Sequence, residues 1–153
     1  MSSPISQLLS ASPIDWQAVL DAVVADFSGA TGTLHRVDPT DGLLKIVAHR
    51  GIPPQLIPVI GTIPVGKGIA GVAAERREPV ELCNLQQDLG GVAKEGARAT
   101  NVQGSLAVPC LDGEELRGTL GVGLSVPHDF TEEEKERLLA LGREVAGKLD
   151  AEA

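Results

Sequence analysis

Apolar residues recur every three or four positions near both ends of the chain, which is the spacing of one face of a helix. The N-terminal set ends at Phe27, and the C-terminal set begins at Leu138. We therefore predict a long helix in each terminal region. The apolar positions are Ile14, Trp16, Val19, Leu20, Val23, Val24 and Phe27 in the first helix, and Leu138, Leu141, Val145 and Leu149 in the last.

Capping residues predict where these helices begin. Ser12 is a suitable N-cap with Pro13 at the first helical position, so the first helix is expected to start there. Residues 1–11 are expected to form an irregular or helical lead-in. Thr131 and Glu134 have the spacing of a capping box at the start of the last helix.

Strand-like runs between the helices form two hairpins. The first pairs residues 32–37 with 43–50 across the turn-forming segment DPTDG, and the second pairs residues 104–111 with 115–125 across Asp112-Gly113. In the strand over 43–50, period-2 alternation predicts one face of Leu44, Ile46 and Ala48 and another of Lys45 and His49.

The strand over residues 115–125 has a face of small residues. Its apolar face is Leu120, Val122 and Leu124, and its other face is Thr119, Gly121, Gly123 and Ser125. A glycine-rich strand face is expected to let another element approach the backbone closely.

Shorter elements lie between the hairpins. Residues 62–65 and 80–82 read as short strands, and the alanine-rich residues 69–77 as a short helix that Pro79 ends. Residues 86–100 lack hydrophobic periodicity and are expected to form one long loop. This order predicts an α+β domain, layered α/β/α around an antiparallel sheet, over residues 12–150.

Composition removes several classes of function. The formal net charge of −8 over 153 residues leaves no basic footprint for nucleic acid. No apolar run approaches the length of a membrane span, and residues 1–16 lack the features of a signal peptide. A cytoplasmic protein without nucleic-acid or membrane partners is therefore expected.

The cysteine and aromatic contents narrow the chemistry further. Cys83 and Cys110 suit a reducing compartment, and they lack the additional cysteine pair or spaced histidines of a zinc site, so no metal site is expected. Aromatic residues make up 2% of the chain, too few for base-stacking platforms or aromatic cages.

Residues 61–68, GTIPVGKG, nearly match the phosphate-binding motif G-x-x-x-x-G-K-[ST]. Gly68 stands where the motif needs a hydroxyl for magnesium, and Ile63, Pro64 and Val65 favour an extended segment. We therefore predict that this stretch does not bind a nucleotide.

The chain resembles the GAF domain over nearly its full length, and four segments carry the resemblance. They are IPVGKGIAGVAAERREPVEL, SLAVPC, LRGTLGVGLSVP and DFTEEEKERLLALG. The resemblance implies that the first segment is a pocket-side strand that turns into a short helix. Gly66 and Gly68 would then serve the sharp turn, and Lys67 would be a loop cation.

The resemblance also implies an architecture and a role. A central antiparallel sheet of about six strands would carry the terminal helices on one face, where they often mediate dimerisation. On the other face, the short helix and the long loop would roof a small-molecule pocket. Members of the family typically sense a ligand and pass the change to the terminal helices.

The better-defined branches of the family are not matched, and no cofactor is expected. The Asn-Lys…Phe…Asp-Glu pattern of cyclic-nucleotide binders is missing, and Cys83 lacks the neighbours of a bilin-binding cysteine. A haem would need an axial ligand, but His35, His49 and His128 are each expected to be exposed.

The leading hypothesis is a non-catalytic, stand-alone sensor that forms a homodimer through its terminal helices and signals to a separate effector protein. Its ligand would be a small metabolite of unknown identity. Arg98, with Lys94 nearby, is the loop cation placed to meet an anionic ligand, although any single one of these residues could be an ordinary solvated loop residue. The pocket candidates are Cys83, Asn84, Asp88, Arg98, Asn101 and Ser105.

The alternative is a thiol-dependent enzyme or redox sensor that uses Cys83, alone or with Cys110. The chain is similar to free methionine-(R)-sulfoxide reductases around residues 69–82, but Ala70 stands where a cysteine would be sought. Cys110 shares a strand face with Leu106 and Val108 and is expected to be buried. A third interpretation is an interaction domain whose pocket is collapsed.

Overall fold

The computed structural model of the chain describes residues 4–82 and 104–149. Its helices are α1 (Pro4–Leu9), α2 (Trp16–Asp26), α3 (Ile57–Ile60), α4 (Gly68–Arg76) and α5 (Glu132–Leu149), with a 3-10 turn at Pro54–Leu56. Its strands are β1 (Thr31–Val37), β2 (Leu44–Arg50), β3 (Thr62–Ile63), β4 (Val80–Leu82), β5 (Gly104–Asp112) and β6 (Glu115–Leu124). None of these described helices combines the length and the apolar character that crossing a bilayer requires.

The six strands form one sheet in the order β3-β2-β1-β6-β5-β4, and every neighbouring pair is antiparallel. The two predicted hairpins therefore lie side by side, with β1 of the first paired to β6 of the second at the centre. The predicted α+β fold with a central antiparallel sheet is confirmed.

Helices α1, α2 and α5 cover one face of the sheet and enclose the main hydrophobic core. Each apolar helix face predicted from the sequence is buried here, with Val23 and Leu138 fully enclosed. The fully buried members of this core include Val19, Leu20, Val23, Val24, Leu34, Leu106, Val108, Cys110, Leu120, Leu138 and Val145. Because α5 packs its apolar face on its own sheet, that face is not free for a partner.

The start of the first long helix differs from the prediction. Helix α2 begins at Trp16, and its N-cap is Asp15, whose carboxylate accepts a hydrogen bond from the Ala18 amide at 3.1 Å. Ser12 and Pro13 precede this cap, and the lead-in contains the separate helix α1. Aspartate at this position satisfies an amide that would otherwise lack an acceptor, so it sets the boundary.

The predicted faces of the strand over residues 43–50 are wrong because β2 contains a bulge. Leu34 pairs with Ala48 but His35 pairs with Ile46, so Val47 is the extra residue. Ala48 lies in the core under the helices, whereas Ile46 lies on the face of the sheet that carries His35. An inserted residue reverses the alternation on either side of it.

The capping box at the start of α5 is confirmed. The Glu134 amide donates to the Thr131 hydroxyl at 3.1 Å, and the Thr131 amide donates to the Glu134 carboxylate at 2.9 Å. This second bond is the main reason that the pKa of Glu134 is lowered. The reciprocal bonds fix the entry of α5 onto the sheet.

A methyl group added at Gly32 tests how closely α2 packs on the sheet, and the same change at Gly147 is the control. A Cβ on Gly32 would overlap the Val24 Cγ2 atom and lie 3.1 Å from Leu20 Cδ1, whereas a Cβ on Gly147 in α5 would meet nothing within 4 Å. Gly32→Ala should lower the free energy of unfolding by about 1–3 kcal/mol through overpacking. Gly147→Ala should raise it by about 1 kcal/mol through helix propensity. Urea denaturation of both variants measures the difference, and equal effects would contradict the packing described here.

Candidate functional site

A cavity of about 250 Å³ lies between the sheet and helix α4, on the face opposite α1, α2 and α5. The central strands supply its floor, and the segment from Val59 to Ala70 supplies its wall. The described residues therefore form a cavity on the side of the sheet where the pocket was predicted, and the predicted roofing loop over residues 86–100 lies outside them.

The floor exists because the residues on this face of the central strands are small. Strand register aligns them in rows across β1, β6 and β5, and each row alternates with a row of large side chains that faces the helices. At Gly121, the atoms nearest to an added Cβ all belong to the sheet, so the glycine-rich face borders open space there. The rows of the floor are Thr31–Gly123–Ser105 and Thr33–Gly121–Ala107, and the next row, His35–Thr119–Pro109, contributes His35 to the cavity.

The near P-loop forms a tight turn whose amides are already used. The Gly66 amide donates to the Gly71 carbonyl at 2.7 Å, and the Lys67 amide donates to the Pro64 carbonyl at 3.1 Å. Gly66 and Gly68 have φ values of 93° and 68°, which other residues rarely adopt. The predicted turn is confirmed. These two amides are unavailable to a phosphate, in agreement with the prediction against nucleotide binding.

The first turn of α4 borders the cavity without a cap. Gly68, Ile69 and Ala70 line the cavity, and their amides precede the first helical hydrogen bond, from the Gly71 amide to the Lys67 carbonyl. No side chain of the described residues caps this end. Lys67 is exposed at the cavity mouth and makes no ion pair within residues 4–82 and 104–149. The helix end and Lys67 contribute positive potential to this wall, which the Glu75 carboxylate beside Gly66 offsets in part.

Among the described residues, His35 is the most deeply buried polar residue that lines the cavity. It is 1% exposed, and its Nε2 lies 2.8 Å from the Ile60 carbonyl oxygen. Because a carbonyl only accepts, Nε2 carries the proton, and burial lowers the pKa of the imidazole. The neutral ring leaves Nδ1 as an acceptor, and it has no partner within the described residues. The prediction that His35 is exposed is wrong. His49 and His128, which were also predicted to be exposed, are half-buried.

Ser105 is the predicted site residue that the structure places at the cavity, on strand β5 beside β4. The other five, Cys83, Asn84, Asp88, Arg98 and Asn101, lie outside the described residues, as does Lys94. Sequence reasoning missed His35 and gave Lys67 no part in the pocket. The signal for His35 was its place in a strand next to buried Leu34, on the side that the alternation leaves for the cavity.

Cys110 faces away from the cavity. It lies in the core beneath α5 with Leu106 and Val108, as predicted, and burial strongly raises the pKa of its thiol. Leu82 pairs with Ser105, five residues along β5 from Cys110, which is about 17 Å at the rise of a strand. A disulfide between Cys110 and the residue after Leu82 would therefore require β4 to leave the sheet.

The buried neutral His35 predicts a pH dependence of stability. An unfolded histidine binds a proton below about pH 6.5, but His35 in the folded protein does so only at lower pH. The free energy of unfolding should therefore fall as pH drops below about 6.5, by up to about 1.4 kcal/mol per pH unit. His35→Gln, which keeps a donor for the Ile60 carbonyl, should lose this part of the dependence. Urea denaturation at pH 8 and pH 5.5 checks it, and equal losses in both proteins would contradict it.

Comparisons with known proteins agree with this architecture. The GAF domain of a phosphoenolpyruvate-protein phosphotransferase from Coxiella burnetii has a TM-score of 0.79 at 22% identity, covering 96% of this chain and 89% of that chain. A free methionine-R-sulfoxide reductase from Neisseria meningitidis, solved with its substrate, has a TM-score of 0.75 at 18% identity, covering 97% and 85%.

A third structure is a domain of a putative sensor histidine kinase from Sinorhizobium meliloti, with a TM-score of 0.70 at 16% identity, covering 92% of this chain and 93% of that chain. At these identities the likeness shows the fold alone. No curated protein matches the chain. The sequence model of the GAF domain matches residues 16–150. The chain therefore belongs to the GAF domain family.

Proposed function

We propose that this chain is a non-catalytic, cytoplasmic sensor that binds a small molecule in the cavity between the sheet and α4. Binding would change how the terminal helices sit on the sheet, and a separate partner protein would respond to that change. The ligand would be a metabolite held by mostly apolar walls and oriented by a few polar groups.

The observation that carries this proposal is the open cavity on the face of the sheet opposite the terminal helices. Its walls include Ile60, Ile63 and Ile69, and its polar groups are hydroxyls, His35 and Lys67. An apolar pocket with few convergent polar groups is the usual form of a small-molecule site.

A chain of contacts offers a route from the cavity side to helix α5. Helix α4 packs on β4 and β5, and Glu81 of β4 reaches across to the start of α5. The Glu81 carboxylate accepts the Phe130 amide at 3.1 Å and pairs with Lys135 at 2.8 Å. A ligand that shifts α4 would therefore act on residues that hold the beginning of α5.

We also propose a homodimer through the terminal helices. The apolar face of α5 is buried in its own core, so a partner copy would meet the outward face. That face carries charged and small residues, Glu133, Glu136, Ala140, Arg143, Glu144 and Gly147. Native mass spectrometry should show twice the mass of the chain, and a monomer at high concentration would contradict this.

The same native spectra test the cavity. Ala107 lies on its floor, and Ala11 is exposed between α1 and α2. We expect wild-type protein to retain a small molecule, and Ala107→Leu to lose it because the added carbons occupy part of the cavity. Ala11→Leu makes the same change away from both the cavity and the proposed dimer face, and should retain the molecule.

Thermal unfolding shows whether Ala107→Leu loses the molecule because the cavity is filled or because the variant is misfolded. Ala107→Leu should unfold cooperatively at a temperature close to that of the ligand-free wild type. A wild-type protein that carries no molecule, or an Ala107→Leu variant that still carries it, would count against the cavity as the ligand site.

The alternative function is reduction of free methionine-R-sulfoxide, the activity named for structures from Neisseria meningitidis and Staphylococcus aureus that this fold resembles. A thiolate would take the sulfoxide oxygen to become a sulfenic acid, which leaves a thioether, and a second thiol would then be needed to regenerate it. Cys110 is unsuited to act as the attacking thiolate or as the second thiol, since it is buried under α5 and the pKa of its thiol is raised. The alternative therefore depends on Cys83.

Cys83→Ser separates the two functions. We expect no turnover of free methionine-R-sulfoxide by wild-type protein with dithiothreitol as reductant, and therefore no change in Cys83→Ser. Turnover by wild type that Cys83→Ser abolishes and Cys110→Ser retains would establish the enzymatic alternative and overturn the non-catalytic proposal.

A further inference from the structure

The floor of the cavity contains a trough that runs along β6. Gly121 and Gly123 are successive residues on the cavity face of this strand, and both line the cavity. The flanking strands place Thr33 and Ala107 on either side of Gly121. A carbon at the Cβ position of Gly121 would lie 3.3 Å from Thr33 Oγ1 and 3.9 Å from Ala107 Cβ. Since carbon atoms in contact lie about 3.5–4 Å apart, the trough is about as wide as one methylene chain.

The wall that faces this trough is aliphatic. Ile60, Ile63 and Ile69 line the cavity from the side of α3 and α4. The described lining contains no aspartate or glutamate, and its lysine, Lys67, is exposed at the mouth. An ionised group buried among apolar walls is costly unless a partner neutralises it. The part of the ligand that lies over Gly121 should therefore be apolar and uncharged.

The volume of the cavity limits the length of the ligand. An apolar cavity of about 150 Å³ holds benzene. By proportion, the cavity of about 250 Å³ holds a ligand of about ten non-hydrogen atoms. Each methylene that enters the cavity should tighten binding about fourfold until this limit is reached.

A pair of hydroxyls flanks the trough at Gly123. The strand register places Thr31 on one side of Gly123 and Ser105 on the other. Gly32, the next residue of β1, faces Val24 in the core beneath the helices. Because successive residues of a strand face opposite sides, the Thr31 side chain points towards the cavity that it lines.

The Thr31 hydroxyl is buried but remains available to a ligand. Thr31 is 9% exposed, and its hydroxyl makes no hydrogen bond within the described residues. It is not sealed from water, unlike the hydroxyl of Thr119, which lies beyond the cavity on the same face of β6. A hydroxyl both donates and accepts hydrogen bonds, and a buried one normally has a partner. A ligand group that also donates and accepts is therefore favoured beside Thr31.

We infer that the ligand is an uncharged, unbranched aliphatic molecule whose end group both donates and accepts a hydrogen bond, as a primary alcohol or amide does. Its chain lies in the trough over Gly121, and its end group lies between the hydroxyls of Thr31 and Ser105. This inference rests on the proposed function, since it names the ligand class of the same cavity.

Four probes of equal size test this ligand class. 1-Heptanol has the chain and the hydroxyl, and its isomer hexyl methyl ether lacks the donor. Cyclohexylmethanol replaces the chain by a ring, and hexanoate replaces the neutral end group by a charged one. Titration of ¹⁵N-labelled protein, followed at the amides of Gly121 and Gly123, gives a Kd for each probe.

We expect 1-heptanol to bind the most tightly of the four. Its Kd should be about fivefold lower than that of the ether, which lacks the donated hydrogen bond. It should be about fourfold lower than that of cyclohexylmethanol, whose ring is too wide for the trough, and about tenfold or more lower than that of hexanoate. Equal or tighter binding of any of the other three would overturn the inference.

Valine substitutions test the hydroxyl end. Thr31→Val removes the hydroxyl with little change of shape, so it should weaken 1-heptanol about fivefold and leave the ether unchanged. Thr119→Val is the matched control, because the Thr119 hydroxyl is sealed and has no partner within the described residues. It should change none of the four Kd values. A Thr31→Val variant that binds 1-heptanol as tightly as wild type would overturn the inference.

A methyl group added at Gly121 tests the trough. Gly121→Ala places a carbon between Thr33 and Ala107, so it should weaken 1-heptanol about fourfold or more. Thermal unfolding checks that the variant is folded, and unchanged binding by the folded variant would contradict the trough as the chain site.

The proposed sensor can stand even if this ligand class fails. If 1-heptanol does not bind at its solubility limit, the inference is overturned. Retention of another molecule in native spectra, lost in Ala107→Leu, would still support the proposed sensor.

Discussion

The whole arrangement depends on a difference in side-chain size between the two faces of the central strands. Residues that point towards α2 and α5, such as Leu34, Leu106 and Leu120, are large and fully enclosed. Their neighbours along the same strands include Ala107 and Gly121, which leave the opposite face hollow. Because successive residues of a strand face opposite sides, a single stretch of sequence builds both the core and the cavity. The hydrophobic stabilisation of one face thus holds the other face open.

Polar groups in this hollow are held in fixed states by the backbone around them. The Ile60 carbonyl selects the His35 tautomer, and burial keeps the ring neutral. The turn at Gly66 and Gly68 uses its own amides and leads directly into α4, whose first residues line the cavity. A stretch that resembles a phosphate-binding loop therefore serves to position a helix.

Much of the fold could be predicted from local sequence signals. The capping box of Thr131 and Glu134, the two hairpins and the glycine turn are each specified by residues close together in the chain. The errors arose where residues far apart in the chain determine the local structure. The bulge at Val47 depends on how β2 pairs with β1, and the burial of His35 depends on the covering segment that contains Ile60. Ser105, the predicted site residue that falls within the described chain, does line the cavity, but His35 and Lys67 were missed because a cavity is made by elements that only the complete sheet brings together.

The central pairing of β1 with β6 joins strands that are separated by most of the chain. Closing so long a loop costs conformational entropy before the contacts between the two strands stabilise the fold. Pairings of this kind therefore slow folding. During synthesis, the cavity floor cannot be complete until β6 has left the ribosome, so a nascent chain would have no binding site. Once the sheet has closed, a bound ligand must dissociate before the two halves separate. Any molecule that binds this cavity would thereby protect the whole domain from unfolding.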